Sequence, residues 1–218
     1  MKCAVITPVG PGHDSDYASC RQSVETAWAA NQGPFQALEI LPMWDLEGRH
    51  GRSARRNDGI DQAVAMGCDW IFFLDADDLM ASWAFERFAR YADAHDAVWG
   101  LICENVYGTD SIAFREGQLP ATDRLADILT AHPVHTLQMG HFVRSSAAAA
   151  VKFDVAMNCG EDFKYYLALW RSFRCAKVED VFFINRRGHH STGPRSADGA
   201  AWERAVLDLL RQAREGRL

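Results

Sequence analysis

Apolar positions in the first hundred residues switch between two periods. Residues 3–7 form a short apolar run stopped by Pro8 and a Gly10-Pro11-Gly12 turn, the pattern of a buried strand. Ser15 is a suitable N-cap, and Tyr17, Cys20, Val24 and Ala27 follow at helical spacing until Gly33-Pro34 breaks the run. Residues 35–41 read as a second strand and 53–66 as a second helix closed by Gly67. Residues 70–74 are Trp-Ile-Phe-Phe-Leu, an unbroken apolar run of the kind that sits in a strand covered on both faces. Ser82 is placed to cap a third helix carrying Trp83, Phe88 and Tyr91, and 97–103 reads as a fourth strand.

Strands alternating with helices imply parallel βαβ units, so the fold expected is α/β: a mostly parallel central sheet with helices on both faces. Ligands of such sheets bind beyond the carboxyl ends of the strands. That rule points to the loops at 8–16, 43–52 and 75–78, all rich in polar or charged residues. The rest of the chain is less regular. It suggests a hairpin over 105–115, a helix over 123–131, strands over 136–143 and 181–187, and helices over 162–170 and 200–214. Neither a repeat nor a linker divides the chain, so a single domain over 1–218 is expected.

Composition changes this picture little. Of 218 residues, 48% are hydrophobic and 24% charged, ordinary for a globular protein, and the net charge of -6 leaves no basic stripe for nucleic acid. The six cysteines show no Cys-x-x-Cys spacing, which argues against structural zinc and fits a reduced, cytoplasmic protein. The chain enters a strand at once, without the apolar core of a secretory leader, and no stretch approaches the ~20 apolar residues needed to span a bilayer. Peripheral docking on a membrane surface stays open.

The chemistry concentrates at Asp75-Ala76-Asp77-Asp78, which closes the 70–74 run. Crowded carboxylates raise one another's pKa, and a divalent cation relieves the repulsion; Mg²⁺ and Mn²⁺ suit such oxygen donors. On an extended backbone Asp75 and Asp77 project to the same side. Asp78 also suits the N-terminus of the helix that follows. Arg52, Arg55 and Arg56 open the second helix, where cations oppose the helix dipole; a diphosphate nearby explains them, and so does an ion pair with Asp58 or Asp61.

The segments Ala4-Val5-Ile6-Thr7-Pro8, Arg56-Asn57-Asp58-Gly59-Ile60, Phe73-Leu74-Asp75-Ala76-Asp77-Asp78, Gly160-Glu161-Asp162 and Arg186-Arg187-Gly188-His189-His190-Ser191 together resemble family 2 glycosyltransferases of the GT-A fold. The resemblance implies a metal-dependent, inverting transfer of sugar from a nucleoside-diphosphate sugar, UDP-sugar favoured, to a hydroxyl on a glycan, lipid-linked or small-molecule acceptor. It implies a nucleotide-binding half at 1–104 and an acceptor-side half at 105–218, holding the helix of the catalytic base and the C-terminal helix. Asp162 would be that base, although an acid there also suits a helix N-terminus. Thr7, Pro8, Asp45, Arg52, Arg56 and Asp75 would contact the nucleotide sugar. Asp75, Asp77 and one of two adjacent histidines, His190 preferred over His189, would hold Mn²⁺ or Mg²⁺, with Arg186 and Arg187 near the pyrophosphate.

Two departures weaken the match. The second strand ends in Ile40-Leu41-Pro42-Met43-Trp44-Asp45, supplying one acid where the family usually has two, and the loop after Pro8 carries Gly10, Gly12 and His13. A noncatalytic nucleotide-sugar-binding module is the alternative. A nucleotidyltransferase ranks below it, because the loop after the first strand lacks an early Arg or Lys.

Overall fold

The computed structural model describes residues 1–106, 109–187 and 199–218. Its first three strands, β1 (Lys2–Val9), β2 (Ala37–Trp44) and β3 (Trp70–Phe73), are parallel and joined by α1 (Asp14–Ala30) and α2 (Gly51–Ala65). Period-two alternation divides their side chains between two cores. Ala4, Ile6, Ile71 and Phe73 face one, and Cys3, Val5, Trp70 and Phe72 face the other. Both faces are therefore dry, as the unbroken apolar run at 70–74 requires. β2 runs on through Pro42 because it lies at the sheet edge, where a missing N–H breaks no ladder bond.

After the acidic segment come β4 (Leu79–Met80), α3 (Ala84–Phe88) and β5 (Ala97–Trp99). The expected third helix is only a short one, entered through Trp83 instead of a Ser82 cap. The expected strand at 97–103 is two strands. β5 ends at Gly100, whose Cβ position would lie 2.4 Å from the Asp180 carbonyl oxygen, and the chain crosses there into a second sheet as β6 (Cys103–Val106). β7 (Ile112–Phe114) pairs antiparallel with β6, forming the hairpin expected in this region.

The second half continues through α4 (Leu125–Thr130), β8 (His141–Arg144), α5 (Ser145–Val151), α6 (Glu161–Ser172), β9 (Cys175–Lys177), β10 (Phe183–Arg187) and α7 (Gly199–Arg214). The main sheet has the order β2-β1-β3-β8-β5-β9, in which β8 alone runs antiparallel. A strand from the second half thus sits inside the sheet begun by the first, so the two halves share one core. The smaller sheet has the order β4-β10-β6-β7. Of the strand expected at 136–143, only the end forms. Gly140 turns the chain at φ 100, where a Cβ would meet the Phe183 ring at 2.2 Å, and this leaves Leu137 and Met139 to line a cleft. Among the described residues, no helix is long and apolar enough to cross a membrane.

Candidate functional site

The carboxyl ends of β1, β2 and β3 open into a cleft of about 650 Å³, closed on its far side by the segment before β8 and by the start of α6. Both halves of the chain line it. The first half contributes Pro8, Asp45, Arg52, Arg56, Asp75 and Asp77, and the second half contributes apolar Val134, Leu137, Met139 and Met157 beside polar Arg115, Gln138 and Asp162.

Along 75–78 the burial alternates, as an extended backbone demands. Asp75 and Asp77 are half-buried in the cleft; Ala76 and Asp78 point inward. Asp78 braces the fold: its Oδ1 accepts the Asn185 side-chain amide at 2.9 Å and the Arg186 backbone N–H at 3.0 Å, tying this segment to β10. Asp75 is paired with Arg56 at 2.6 Å. Asp77 is held differently. Burial, then the charge of Asp75, pushes its carboxyl up to about 6, against weaker opposing contributions from a backbone N–H, His13 and Arg186. The Arg186 side chain donates to the Asp77 carbonyl oxygen and also lines the cleft.

Each residue of Arg56-Asn57-Asp58-Gly59-Ile60 has a separate structural reason. Arg56 is buried on α2, its guanidinium 5.3 Å from the Phe153 ring centre. Asn57 exchanges two hydrogen bonds with the Phe153 backbone, donating to its carbonyl at 2.9 Å and accepting its N–H at 2.8 Å. Asp58 accepts Arg55 at 2.6 Å, so of the three arginines Arg55 is the one explained by a local ion pair. Gly59 faces Ile6 so closely that a Cβ would lie 2.5 Å from its Cγ2, and Ile60 is fully buried. The motif thus docks α2 on β1 and holds the approach to α6.

Gly160, left-handed at φ 74, turns the chain into α6. Glu161 and Asp162 open that helix with opposite fates. Glu161 is 2% exposed and receives Arg52, with a second contact at 3.3 Å, and Arg56 at 3.7 Å. Asp162 accepts the Phe163 N–H at 2.8 Å and lines the cleft. Burial, then the neighbouring Glu161 charge, pushes its carboxyl up to about 6, against the pull of Arg52 and Arg56. Below this floor His141 is fully buried and stacked on Trp99 at 4.4 Å; burial and Arg56 push its pKa down to about 3, so it is neutral.

The cleft therefore gathers Pro8, Asp45, Arg52, Arg56, Asp75, Asp77 and Asp162. Thr7 lies one residue deeper, buried at 1% exposure. Asp45 serves its own loop: its carboxylate accepts the N–H groups of Arg49, His50 and Gly51 at 2.8–3.0 Å, and these donors outweigh burial to hold its pKa below the usual value. His189, His190 and the side chain of Arg187 fall outside the described residues. Among the described residues, no three His, Cys, Asp or Glu side chains form a group set to hold a metal ion. Asp75 and Asp77 still fit Mg²⁺ or Mn²⁺, which take one or two carboxylates and complete their shell with water and phosphate oxygens.

Arg115 and Trp202 lie in the acceptor-side half expected from the sequence, although neither is singled out there as a site residue. Arg115, on the segment after β7, donates to Glu104 at 2.6 Å and to the Val134 carbonyl at 2.7 Å. Trp202 projects from α7. Neither belongs to a local motif, and only the tertiary fold brings them to the site.

A model of glycosyl transferase family 2 matches residues 44–160. No curated protein matches the chain. Among solved structures, the chain resembles TarS of S. aureus. The TarS 1–349 structure in complex with UDP-GlcNAc aligns with 100% of this chain and 71% of that one, at TM-score 0.65 and 15% identity. The same fragment in complex with UDP aligns over 97% and 66%, at TM-score 0.65 and 14% identity. A longer TarS structure aligns over 86% and 37%, at TM-score 0.62 and 16% identity. At these identities the likeness is one of fold, and the chain spans little more than a third of the longer TarS chain.

Proposed function

The chain belongs to glycosyl transferase family 2, and from that premise we propose that it is an inverting glycosyltransferase moving a sugar from a nucleoside-diphosphate sugar to an acceptor hydroxyl with Mn²⁺ or Mg²⁺. The observation that carries this reading is the cleft itself. It brings Arg and Asp side chains, suited to a metal diphosphate, into one cleft with a carboxyl whose pKa is pushed up to about 6. A base with its pKa near the working pH is deprotonated enough to act and still basic enough to take a proton.

In this scheme Arg52, Arg56 and Arg186 draw the diphosphate to the ends of β1 and β3. Asp75 and Asp77, with His190, would hold the metal, which would supply positive charge against the charge that builds on the departing diphosphate. Asp45 acts on the nucleobase through the loop it braces. The Asp162 carboxylate takes the acceptor's hydroxyl proton, and the freed oxygen pair forms a bond to the sugar's C1. The bond from C1 to the diphosphate oxygen breaks with its electrons, releasing the nucleoside diphosphate from the opposite face and inverting the centre. UDP is the first nucleotide to try, since UDP and UDP-GlcNAc occupy the TarS structures of the same fold. All six cysteines are free thiols, which suits a reducing, cytoplasmic setting.

The test is single-turnover release of UDP from UDP-sugars with Mn²⁺, for the wild type and Asp162→Asn. Release by the wild type alone supports the reading. Tight UDP binding with no release by either protein, across an acceptor panel, would instead favour a binding module.

A further inference from the structure

Glu161 is buried, lies against two arginines of another helix, and takes no part in the transfer just described. Its partners Arg52 and Arg56 stand one turn apart on α2, and Arg56 continues the chain of charges to Asp75 at 2.6 Å. A carboxylate 2% exposed is costly to keep unless its partners are fixed, so this contact resists being pulled apart. Asn57 and Phe153 add two hydrogen bonds between α2 and the segment leading to α6. We propose that Glu161 is a positioning residue: its clamp on Arg52 and Arg56 locks the N-terminus of α6 to α2, so that Asp162 is held at a fixed place relative to the diphosphate subsite.

This rests on the glycosyltransferase reading and deepens it. The two ends of the clamp, Arg52 and Glu161, are 109 positions apart in sequence, and misplacing a reacting group by about 1 Å can cost about 100-fold in rate. The charged groups acting on Asp162 are Glu161 on its own helix and Arg52 and Arg56 on α2; Tyr166, buried and neutral one turn along α6, also faces it. The clamp therefore also sets the electrostatics of the base. Glu161 disfavours the charged carboxylate, and Arg52 favours it.

The experiment compares Glu161→Gln, Arg52→Gln and Asp162→Asn at saturating Mn²⁺ over a range of UDP-sugar concentrations, measuring kcat, donor KM and the pH dependence of kcat. Glu161→Gln should lower kcat about 10- to 100-fold while donor KM stays within about twofold. Its acid limb should move to lower pH, because a negative neighbour of the base is gone. Arg52→Gln should move that limb the other way, to higher pH. Opposite shifts from the two ends of one ion pair do not arise from simple loss of stability, and Arg52→Gln keeps the test open if the buried variant fails to fold. Limbs that stay put or move together would overturn the proposal, as would a raised donor KM with unchanged kcat in Glu161→Gln. If Asp162→Asn transferred at the wild-type rate, the function reading itself would be at fault.

Discussion

The cleft contains two acid pairs built to the same plan and set to opposite uses. At the end of β3, Asp75 is neutralised by Arg56 and its neighbour Asp77 is left with a raised pKa. At the start of α6, Glu161 is neutralised by Arg52 and Arg56 and its neighbour Asp162 is left with a raised pKa. In each pair one carboxylate is committed to arginine and the other is held in a half-buried, acid-crowded place where charge is disfavoured. Surroundings separate them. Asp77 lies beside a second cleft carboxylate, with Arg186 on its carbonyl, a place that suits a cation and a diphosphate. Asp162 lines the cleft from the start of α6, next to Glu161, Arg52 and the buried Tyr166, and in the proposed transfer it is the proton acceptor. Equal pKa directions thus lead to different chemistry, and Arg56, shared between the pairs, links them.

The difference breaks most sharply at Asp162. Asp162→Asn should lower kcat about 100- to 10,000-fold while leaving Mn²⁺-dependent UDP binding intact, read by single-turnover release and by thermal shift. Next in size is the shared arginine. Arg56→Ala unpairs Asp75 and leaves the buried Glu161 with Arg52 alone, which should cost about 3 kcal/mol of stability and lower Tm by about 6–12 °C, measured by calorimetry without nucleotide. Asp77→Ala should abolish the extra stabilisation that Mn²⁺ gives to UDP binding. At ligand about 100-fold over Kd, that loss is about 2.7 kcal/mol. If Asp77→Ala kept its full Mn²⁺ dependence and Asp162→Asn lost it, the two roles would be reversed.

Most of the donor wall was legible in the sequence because its residues act close to their place in the chain. An apolar run ending in acids defines a strand and its ligand loop, and Arg56 reaches Asp75 across only 19 positions. What stayed hidden was set by contacts between distant segments. Glu161 reads as an ordinary helix-opening acid until α2 is seen 109 positions away. The break at Gly100 is invisible in the apolar pattern of 97–103, because its cause is the Asp180 backbone. Asp45 was expected to contact the nucleotide, and only the folded chain shows that its oxygens also accept three backbone N–H groups of the loop that follows it. Pattern reports which face is buried; it does not report which partner a buried charge has found.

The smallest effect offers the finest test of the comparison, because three acids stand in 75–78 and only two face the cleft. Asp78 is 1% exposed, and its Oδ1 accepts both the Asn185 amide and the Arg186 N–H. Asparagine keeps an oxygen at that position, so Asp78→Asn can retain both bonds and removes only a buried carboxyl. The expected change in stability is within about 1 kcal/mol, or a Tm shift of no more than about 4 °C, with the Mn²⁺ dependence of UDP binding unchanged. Arg186 is the sensitive point, since the same bond that holds its backbone also places its guanidinium against the Asp77 carbonyl. A variant that folded normally but lost its metal dependence would move Asp78 from the frame into the site, and the division of labour between Asp77 and Asp78 would have to be redrawn.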